Sequence, residues 1–280
     1  MSASGASPKT VEQLSATARQ VRQDIVRMTY RAGSGHAGSS LSVADLVTAL
    51  VFHELRIDPE HPDWPDRDRL VLSKGHAAPA LYSALARRGF LDPAVLPSLK
   101  EIGPPLQGPV DHRALPSVEA STGAPGLGVG MAVGMALDAR LAKRPSRVYV
   151  IVGDGECRAG LTWEALLAGG HYALDNLVIL VDRNGKVPDG AKEEMLSPEP
   201  LADKLRAFRY DTLEIEGHDF PAILGALAHA RTTKDRPTAI LARTVRGKGI
   251  SFMENQRAWR VRVPTREEAE RGLAELGGSL

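Results

Sequence analysis

The stretch "RVYVIVGDGECRAGLTWEALLAGG", residues 147–170, contains a strand, a glycine-rich turn and a helix in one run. Residues 147–152 are mostly apolar and β-branched, which predicts a strand buried on both faces. Asp154 and Glu156 follow between glycines, and residues 161–173 have a helical pattern. On its own, "GDGE" is either an ordinary tight turn or a turn that binds a ligand.

The remaining second half repeats this alternation of apolar strands and helices. Strands are predicted at residues 177–182, 213–216 and 238–245, with helical segments between them. Fully apolar strands that alternate with helices indicate a parallel sheet covered on both faces. The predicted fold class is therefore α/β.

The first half is predicted to be mainly helical. Residues 11–31 have helical spacing, and Ser42 is in position to cap a second helix. A short strand is expected at residues 69–73, and a glycine-studded helix starts near Gly126.

The domain organisation is predicted to be simple. We expect a disordered tail over residues 1–10 and one domain over residues 11–280. Within that domain, residues 256–280 should form a helical extension, whose helix is expected to be exposed. Residues 92–126 are rich in proline and glycine, so they should be either functional or partly helical.

Composition excludes several classes of partner. The net charge of +1 provides no overall field that would attract nucleic acid. No apolar run approaches the roughly 20 residues that cross a bilayer, so no membrane partner is expected. The single cysteine, Cys157, excludes an intrachain disulfide and fits a cytoplasmic location.

Polar residues follow two of the predicted strands where those strands end. Asp154 follows strand 147–152, and Asn184 follows strand 177–182. If the intervening helix makes an ordinary crossover, both residues stand at one edge of the sheet. A carboxylate, an amide oxygen and a backbone carbonyl suit Mg²⁺ or Ca²⁺, but they are too few for a complete cage. The missing ligands imply water and a phosphorylated molecule, which the glycines and the following helix start would accommodate.

The run "GLGVGMAVG", residues 126–134, raises the alternative of a dinucleotide site. Its glycines do not have the G-x-G-x-x-G spacing, and no buried strand precedes them. A nicotinamide cofactor is therefore not expected.

Several motifs together resemble one family. The "GDGE" turn followed by "NLVILVDRNGKVPDG" (176–190) is similar to the diphosphate-binding motif of thiamine-diphosphate enzymes. Five further segments follow the order found in transketolases: "SGHAG" (34–38), "SKGHAAPALYSAL" (73–85), "PSVEASTGAPGLG" (116–128), "EIEGHDF" (214–220) and "TVRGKGISFMEN" (244–255). The chain resembles the transketolase diphosphate-binding module over about residues 15–276.

This resemblance implies thiamine diphosphate and Mg²⁺ as cofactors, with Ca²⁺ or Mn²⁺ as possible substitutes for Mg²⁺. The metal ligands it implies are Asp154, Asn184 and the backbone carbonyl of Lys186.

The resemblance also implies roles for two histidines and three residues of glycine-rich turns. His76 would contact the diphosphate or the substrate, and His36 would line the substrate channel and help proton transfer. Gly123, Gly155 and Glu156 would belong to the cofactor site.

The family also has a second, pyrimidine-binding domain, which carries a glutamate that activates the cofactor. This chain has about 25 residues after "SFMEN". The resemblance therefore implies the N-terminal subunit of a split enzyme, inactive alone and paired with a separate C-terminal subunit in an α2β2 heterotetramer.

Four positions depart from the family pattern. Pro109 and Arg260 stand where transketolases have histidines that contact the sugar, and Leu127 replaces a glutamine. Ala159 replaces a glutamate of the network between paired cofactor sites. These changes predict a specialised small-molecule substrate outside central metabolism.

Two residues are candidates for the altered substrate site. His112 could take the place of the histidine missing at position 109, and Arg260 could bind a carboxylate or a phosphate.

Two other functions remain open. The chain could be a non-catalytic scaffold or regulatory partner of a transketolase-like subunit, because the substitutions are also those of a decaying site. It could instead be similar to the α subunit of a 2-oxoacid dehydrogenase, which shares the GDG motif and a split organisation.

Overall fold

The computed structural model describes residues 7–185 and 196–280, and in them it contains one five-stranded parallel sheet. The order across the sheet is β1-β2-β3-β5-β4. The strands are β1 (Arg69–Leu72), β2 (Val148–Gly153), β3 (Leu177–Arg183), β4 (Asp211–Glu216) and β5 (Thr238–Arg243). The predicted parallel α/β sheet is confirmed.

Helices precede, separate and follow the strands. The α-helices are α1 (Pro8–Arg31), α2 (Ala37–Ser42), α3 (Ala44–Ala49), α4 (Ala78–Arg88), α5 (Leu127–Leu141), α6 (Gly160–His171), α7 (Leu201–Ala207), α8 (Phe220–Thr232) and α9 (Arg266–Glu275). A π-helical turn spans Leu50–Glu54, and 3₁₀ turns span Gly75–Ala77, Pro93–Ser98, Asp154–Arg158 and Arg257–Arg260.

Two hydrophobic clusters cover the two faces of the sheet. Successive side chains of a strand point to opposite faces. On β2, Tyr149 and Ile151 therefore join the cluster that includes α1, α3, α4 and α8. Val148, Val150 and Val152 join the cluster that includes α5, α6 and α7. Burial of both faces explains the continuous apolar runs at residues 148–152 of β2 and 177–181 of β3.

The polar residues that follow β2 and β3 lie side by side. These strands pair in parallel, and Gly153 is in register with Asp182. The turn after β2 therefore meets the end of β3, as the sequence predicted.

The predicted role of Ser42 as a helix cap is wrong. Ser42 is the last residue of α2, and a separate short helix, α3, begins at Ala44. The Ser42 hydroxyl donates to the backbone oxygen of Ser39 (3.0 Å) and to Asp182 Oδ2 (2.8 Å). A distant partner on β3, absent from local sequence, gives this residue its role.

Both ends of the described chain differ from the sequence predictions. Helix α1 starts at Pro8 with Ser7 as its cap, so the predicted tail boundary at residue 10 is too late. Helix α9 is not simply exposed, because Ala269 and Leu273 are fully buried in the cluster that contains α1. Among the described residues, no helix combines the length and apolar character needed to span a bilayer.

The proline-rich segment 92–126 is held against the core without much regular structure. One 3₁₀ turn covers Pro93–Ser98. The hydroxyl of Tyr82 donates to the backbone oxygen of Gln107 (3.0 Å), and Thr122 Oγ1 donates to that of Leu72 (2.6 Å). These bonds place the segment beside the carboxyl end of β1.

Candidate functional site

The turn after β2 is closed onto the end of β3 by one short hydrogen bond. The backbone N–H of Gly185 donates to Asp154 Oδ2 over 2.6 Å. A Cβ atom at position 185 would lie 2.5 Å from that oxygen, closer than real contacts allow. Glycine at position 185 therefore lets the two strand ends approach each other.

Asp154 is largely withdrawn from solvent and lies beside a second carboxylate, that of Asp182. Burial and the neighbouring carboxylate of Asp182 raise the pKa of Asp154. A raised carboxyl pKa means that the ionised form lacks compensation, which a bound cation would supply. The surroundings of Asp154 therefore fit a cation.

Asn184 directs its amide NH₂ group to acceptors on α2 and β3. Its Nδ2 donates to Ser42 Oγ (3.0 Å) and to Asp182 Oδ2 (2.7 Å). Its Oδ1 accepts from Arg246 Nη2 (2.9 Å). The structure thus brings Asp154 and Asn184 to one place, while Lys186, the third predicted ligand, lies outside the described residues.

The oxygen ligands of Asp154 and Asn184 suit a hard divalent ion whose remaining coordination positions are filled by other ligands. Among the described residues, no group of three or more His, Cys, Asp or Glu side chains could hold a metal ion alone. One carboxylate and one amide oxygen instead leave most coordination positions to backbone, water and ligand oxygens, as Mg²⁺ prefers. The residues present therefore fit the predicted ion.

A buried ion pair lies directly behind this edge. Lys74 and Asp182 have side-chain exposures of 3% and 0%, and they form a salt bridge. Thr244 also donates to Asp182, and Lys74 donates to the backbone oxygen of Ser39 (3.1 Å). Sequence reasoning missed this pair, although Lys74 lies in the quoted "SKGHA" segment.

Glu156 stabilises the turn through bonds within the chain. Its carboxylate accepts from Ser73 Oγ (2.7 Å), from the Gly153 N–H (2.9 Å) and from the Gly126 N–H (3.2 Å). These bonds tie the end of β1, the end of β2 and the start of α5 together. The geometry therefore shows a structural role for Glu156, while the cofactor contact predicted from the sequence stays a prediction.

The two predicted histidines lie together beside a small cavity. The ring centroids of His36 and His76 are 5.1 Å apart. The cavity has a volume of about 70 Å³, and it is lined by Gly35, His36, His76, Pro79, Leu99, Lys100, Gly108 and Pro109. Burial, followed by Lys74, lowers the pKa of His76 to about 3. Burial and then Lys100 lower the pKa of His36, so both rings are neutral hydrogen-bonding groups near pH 7.

Pro109, which stands where the family has a histidine, and His112, its predicted replacement, lie in different surroundings. Pro109 lies in the cavity wall, and a Cβ on Gly123 would lie 3.7 Å from it. His112 is exposed and is not among the residues that line the cavity. Its Nδ1 is 2.6 Å from the backbone oxygen of Val118. His112 thus lies outside this cavity, and its role in place of the missing histidine stays a prediction.

Two cations flank the histidines. Lys100 lines the cavity in a left-handed conformation (φ 64°), and its Nζ donates to Ser34 Oγ (2.6 Å). Sequence reasoning did not single out Lys100. Arg260 is exposed at the end of a 3₁₀ turn, and its charge lowers the pKa of both His36 and His76.

Close packing fixes the position of the Arg260 turn. A Cβ on Gly38 would lie 2.6 Å from the backbone oxygen of Trp259, so the turn contacts α2 next to His36. Arg260 is thereby held near the histidine pair.

The remaining predicted positions are at the turn or near it. Gly155 is exposed, and a Cβ there would meet only Arg158, at 3.8 Å. Leu127 is 37% exposed at the start of α5, and Ala159 precedes α6. Cys157 is buried, and burial raises its thiol pKa to about 12, so it is not a reactive thiolate.

A larger groove, of about 370 Å³, lies at the opposite end of the sheet. Arg69 and Ser146, which line it, stand at the amino ends of β1 and β2. Ligands of open parallel sheets bind beyond the carboxyl ends of the strands. The smaller cavity beside the histidines is therefore the better candidate site.

Comparison with known proteins agrees with this arrangement. The family model described as "Transketolase, thiamine diphosphate binding domain" matches residues 11–260. The chain is 41% identical over 244 residues to the 6-deoxy-6-sulfo-D-fructose transketolase subunit SqwG of Clostridium sp. (strain MSTE9), in an alignment that covers 87% of this chain and 89% of that protein. It is 38% identical over 268 residues to one subunit of the apulose-4-phosphate transketolase of Phocaeicola vulgatus, where the alignment covers 95% and 94%.

A solved structure shares the fold. The transketolase from Campylobacter jejuni superposes with a TM-score of 0.85 at 29% identity, over 98% of this chain and 44% of that one. The predicted family resemblance is therefore confirmed. This chain belongs to the transketolase family, in which it corresponds to the thiamine diphosphate binding domain.

Proposed function

We propose that this chain is the diphosphate-binding subunit of a two-component transketolase-like enzyme. The enzyme transfers a two-carbon ketol unit from a ketose or 2-oxo donor to an aldehyde or related acceptor. The observation that carries the proposal is the meeting of Asp154 and Asn184 at the sheet edge, where the Gly185 N–H closes the turn.

The proposed metal ligands are Asp154, Asn184 Oδ1 and the carbonyl of Lys186, with Mg²⁺ as the ion and Ca²⁺ or Mn²⁺ as substitutes. The backbone of Gly155 and Gly123 would approach the diphosphate of the cofactor, since neither position carries a side chain that blocks it. Thiamine diphosphate, when bound, supplies the carbon nucleophile of the reaction.

The histidine pair would act on the substrate. His36 and His76 are neutral near pH 7, so each ring can donate one hydrogen bond and accept another. His36 is proposed to line the substrate channel and to pass a proton to or from a substrate hydroxyl or carbonyl oxygen. His76 would hold the substrate or the diphosphate beside it.

The substrate is proposed to be an anionic ketose or 2-oxo compound of specialised metabolism. One relative is named for a sugar with a sulfo group, and another for a sugar phosphate. In this chain Pro109 removes a hydrogen-bonding group from the cavity wall, while Lys100 and Arg260 add positive charge near the histidines. A lost hydrogen bond to a sugar hydroxyl costs about 0.5–1.5 kcal/mol. The loss at position 109 therefore favours a ketol-donor substrate different from that of common transketolases.

The proposed partner is a separate polypeptide that carries the pyrimidine-binding domain, in an α2β2 heterotetramer. Both of these relatives are named as transketolase subunits. A cytoplasmic location remains the prediction from the cysteine content.

The test is reconstitution with the product of a gene that resembles the transketolase C-terminal half. The mixture, given thiamine diphosphate, Mg²⁺ and a ketose phosphate or sulfonate donor, should convert an added aldehyde. The variant D154A should lose cofactor retention and turnover. The matched control D175A changes an aspartate at the other end of the sheet, before β3, and should retain both.

Two results would reject the proposal. A complex that binds no thiamine diphosphate would favour the scaffold. Release of CO₂ from a 2-oxo acid with no ketol transfer would favour the dehydrogenase-like alternative.

A further inference from the structure

An asparagine that binds a cation must present its oxygen, because its NH₂ end carries partial positive charge. Oxygen and nitrogen occupy equivalent positions at the end of this side chain, so neighbouring groups must select the orientation. The neighbours of Asn184 select one orientation: Ser42 and Asp182 accept from its Nδ2, and Arg246 Nη2 donates to its Oδ1 over 2.9 Å until an ion takes that place.

Both N–H groups of Asn184 are directed to acceptors behind it. Nδ2 lies 2.7 Å from Asp182 Oδ2 and 3.0 Å from Ser42 Oγ. A rotated amide would place Oδ1 against the carboxylate of Asp182 and would lose both bonds. Each of these part-buried hydrogen bonds contributes about 0.5–1.5 kcal/mol, so the rotated form is disfavoured.

Asp182 is itself fixed as an acceptor. Lys74 forms a buried salt bridge with its carboxylate. Thr244 donates to Oδ1, and Ser42 donates to Oδ2 over 2.8 Å. An ionised carboxylate only accepts hydrogen bonds, and these donors leave it little freedom to turn.

We propose that Ser42 and Asp182 are positioning residues that set the orientation of the Asn184 amide, so that Oδ1 is the atom offered to the divalent ion. The inference rests on the proposed function. It also gives a reason for burying Lys74 with Asp182, a pair whose desolvation penalty can exceed its Coulombic attraction. Ser42 would act on the ion through Asn184, whereas the carboxylate of Asp182 also lies beside Asp154.

The test is a double-mutant cycle on Mn²⁺ affinity. Ser42 is the residue to change, since D182N would leave Lys74 as an unpaired buried charge. The variants S42A, N184A and S42A/N184A are prepared in the complex with the pyrimidine-binding partner. Electron paramagnetic resonance measures Mn²⁺ binding with and without thiamine diphosphate.

Partners behind a metal ligand typically contribute about ten- to a hundredfold in metal affinity. S42A should therefore weaken Mn²⁺ binding by about tenfold or more when Asn184 is present. In the N184A background the same change should alter affinity by less than about twofold, because the group to be oriented is gone.

The matched control is S40A. Ser40 is a fully buried serine of the same helix, but its hydroxyl bonds to the backbone oxygen of His36 (3.0 Å) and not to Asn184. S40A should leave Mn²⁺ affinity within about twofold of the wild type, at comparable thermal stability.

The outcomes separate the inference from the proposed function. Equal effects of S42A in both backgrounds, or no effect in either, would overturn the positioning role while the metal site stands. A wild-type complex that binds no Mn²⁺ in the presence of thiamine diphosphate would overturn the proposed function, and this inference with it.

Discussion

The substitution Gly185→Ala should separate cofactor binding from folding. The backbone at position 185 is not left-handed, so alanine meets no conformational penalty there, and only its Cβ matters. That Cβ would lie 2.5 Å from Asp154 Oδ2 and 3.2 Å from Asp154 Cγ. Relief of this contact requires the carboxylate and the strand end to separate by about 0.5–1 Å.

Such a displacement acts directly on a predicted metal ligand. Disturbing the groups that hold a metal ligand in place typically costs about ten- to a hundredfold in metal affinity. Gly185 is exposed, so the free energy of unfolding should change by less than about 1 kcal/mol. The expected result is cofactor binding weakened by ten- to a hundredfold in a normally folded protein.

Titration calorimetry with thiamine diphosphate and Mg²⁺ measures the affinity, and urea unfolding measures stability. The matched control is Gly130→Ala, since a Cβ at position 130 in α5 has no atom within 4 Å. This control should bind thiamine diphosphate with normal affinity. Its free energy of unfolding should rise by up to about 1 kcal/mol, because alanine is a better helix former than glycine. Unchanged affinity of G185A for thiamine diphosphate would refute the idea that binding depends on the close approach of Gly185 to Asp154.

Three further predictions follow from the same region. Lys74→Met leaves the carboxylate of Asp182 without its buried partner, so the free energy of unfolding in urea should fall by about 3–5 kcal/mol. A fall of less than about 1 kcal/mol would argue against the ion pair. The folded-state pKa of His76, about 3, lies below its ordinary value of 6.5. Its protonation in the unfolded chain should therefore reduce stability as pH falls from 6.5 towards 3, and His76→Asn should flatten this slope; an equal slope in both proteins would contradict it. Restoring histidines at positions 109 and 260 (P109H/R260H) should raise activity on xylulose 5-phosphate by about one to two orders of magnitude, and a wild type already fast on that sugar would oppose the substrate argument.

The sheet could be predicted from the sequence because its strands carry their own signal. Residues 148–152 and 177–181 are apolar on both faces, so burial dictates their composition. The predicted meeting of Asp154 and Asn184 needed only the rule that parallel strands end at the same edge. The apolar pattern of β2 and β3 and their parallel pairing therefore both place Asp154 and Asn184 at the same edge of the sheet.

Other features depend on partners that local sequence cannot reveal. Serine is a residue type that often caps helices, so Ser42 looked like a cap. Its hydroxyl instead bonds to Asp182, 140 positions away. Lys74 belongs to a turn that could equally be solvated, and only the fold buries it. In both cases tertiary contacts override the local preference.

The substrate side of the site was the hardest to predict. Pro109, His112 and Lys100 lie in or beside the irregular segment 92–126, where no periodicity fixes which side chains face the cavity. A left-handed residue such as Lys100 changes the direction of the chain within one position. Motif spacing therefore located this segment but not the orientation of its side chains.

The most direct test of the account is anomalous diffraction from the complex with the pyrimidine-binding partner, grown with Mn²⁺ and thiamine diphosphate. The account predicts an anomalous peak about 2.1 Å from a carboxylate oxygen of Asp154 and from Asn184 Oδ1, with Asn184 Nδ2 still bonded to Asp182. A peak elsewhere in the cofactor-bound complex, or an Asp154 side chain turned away from the ion, would contradict it.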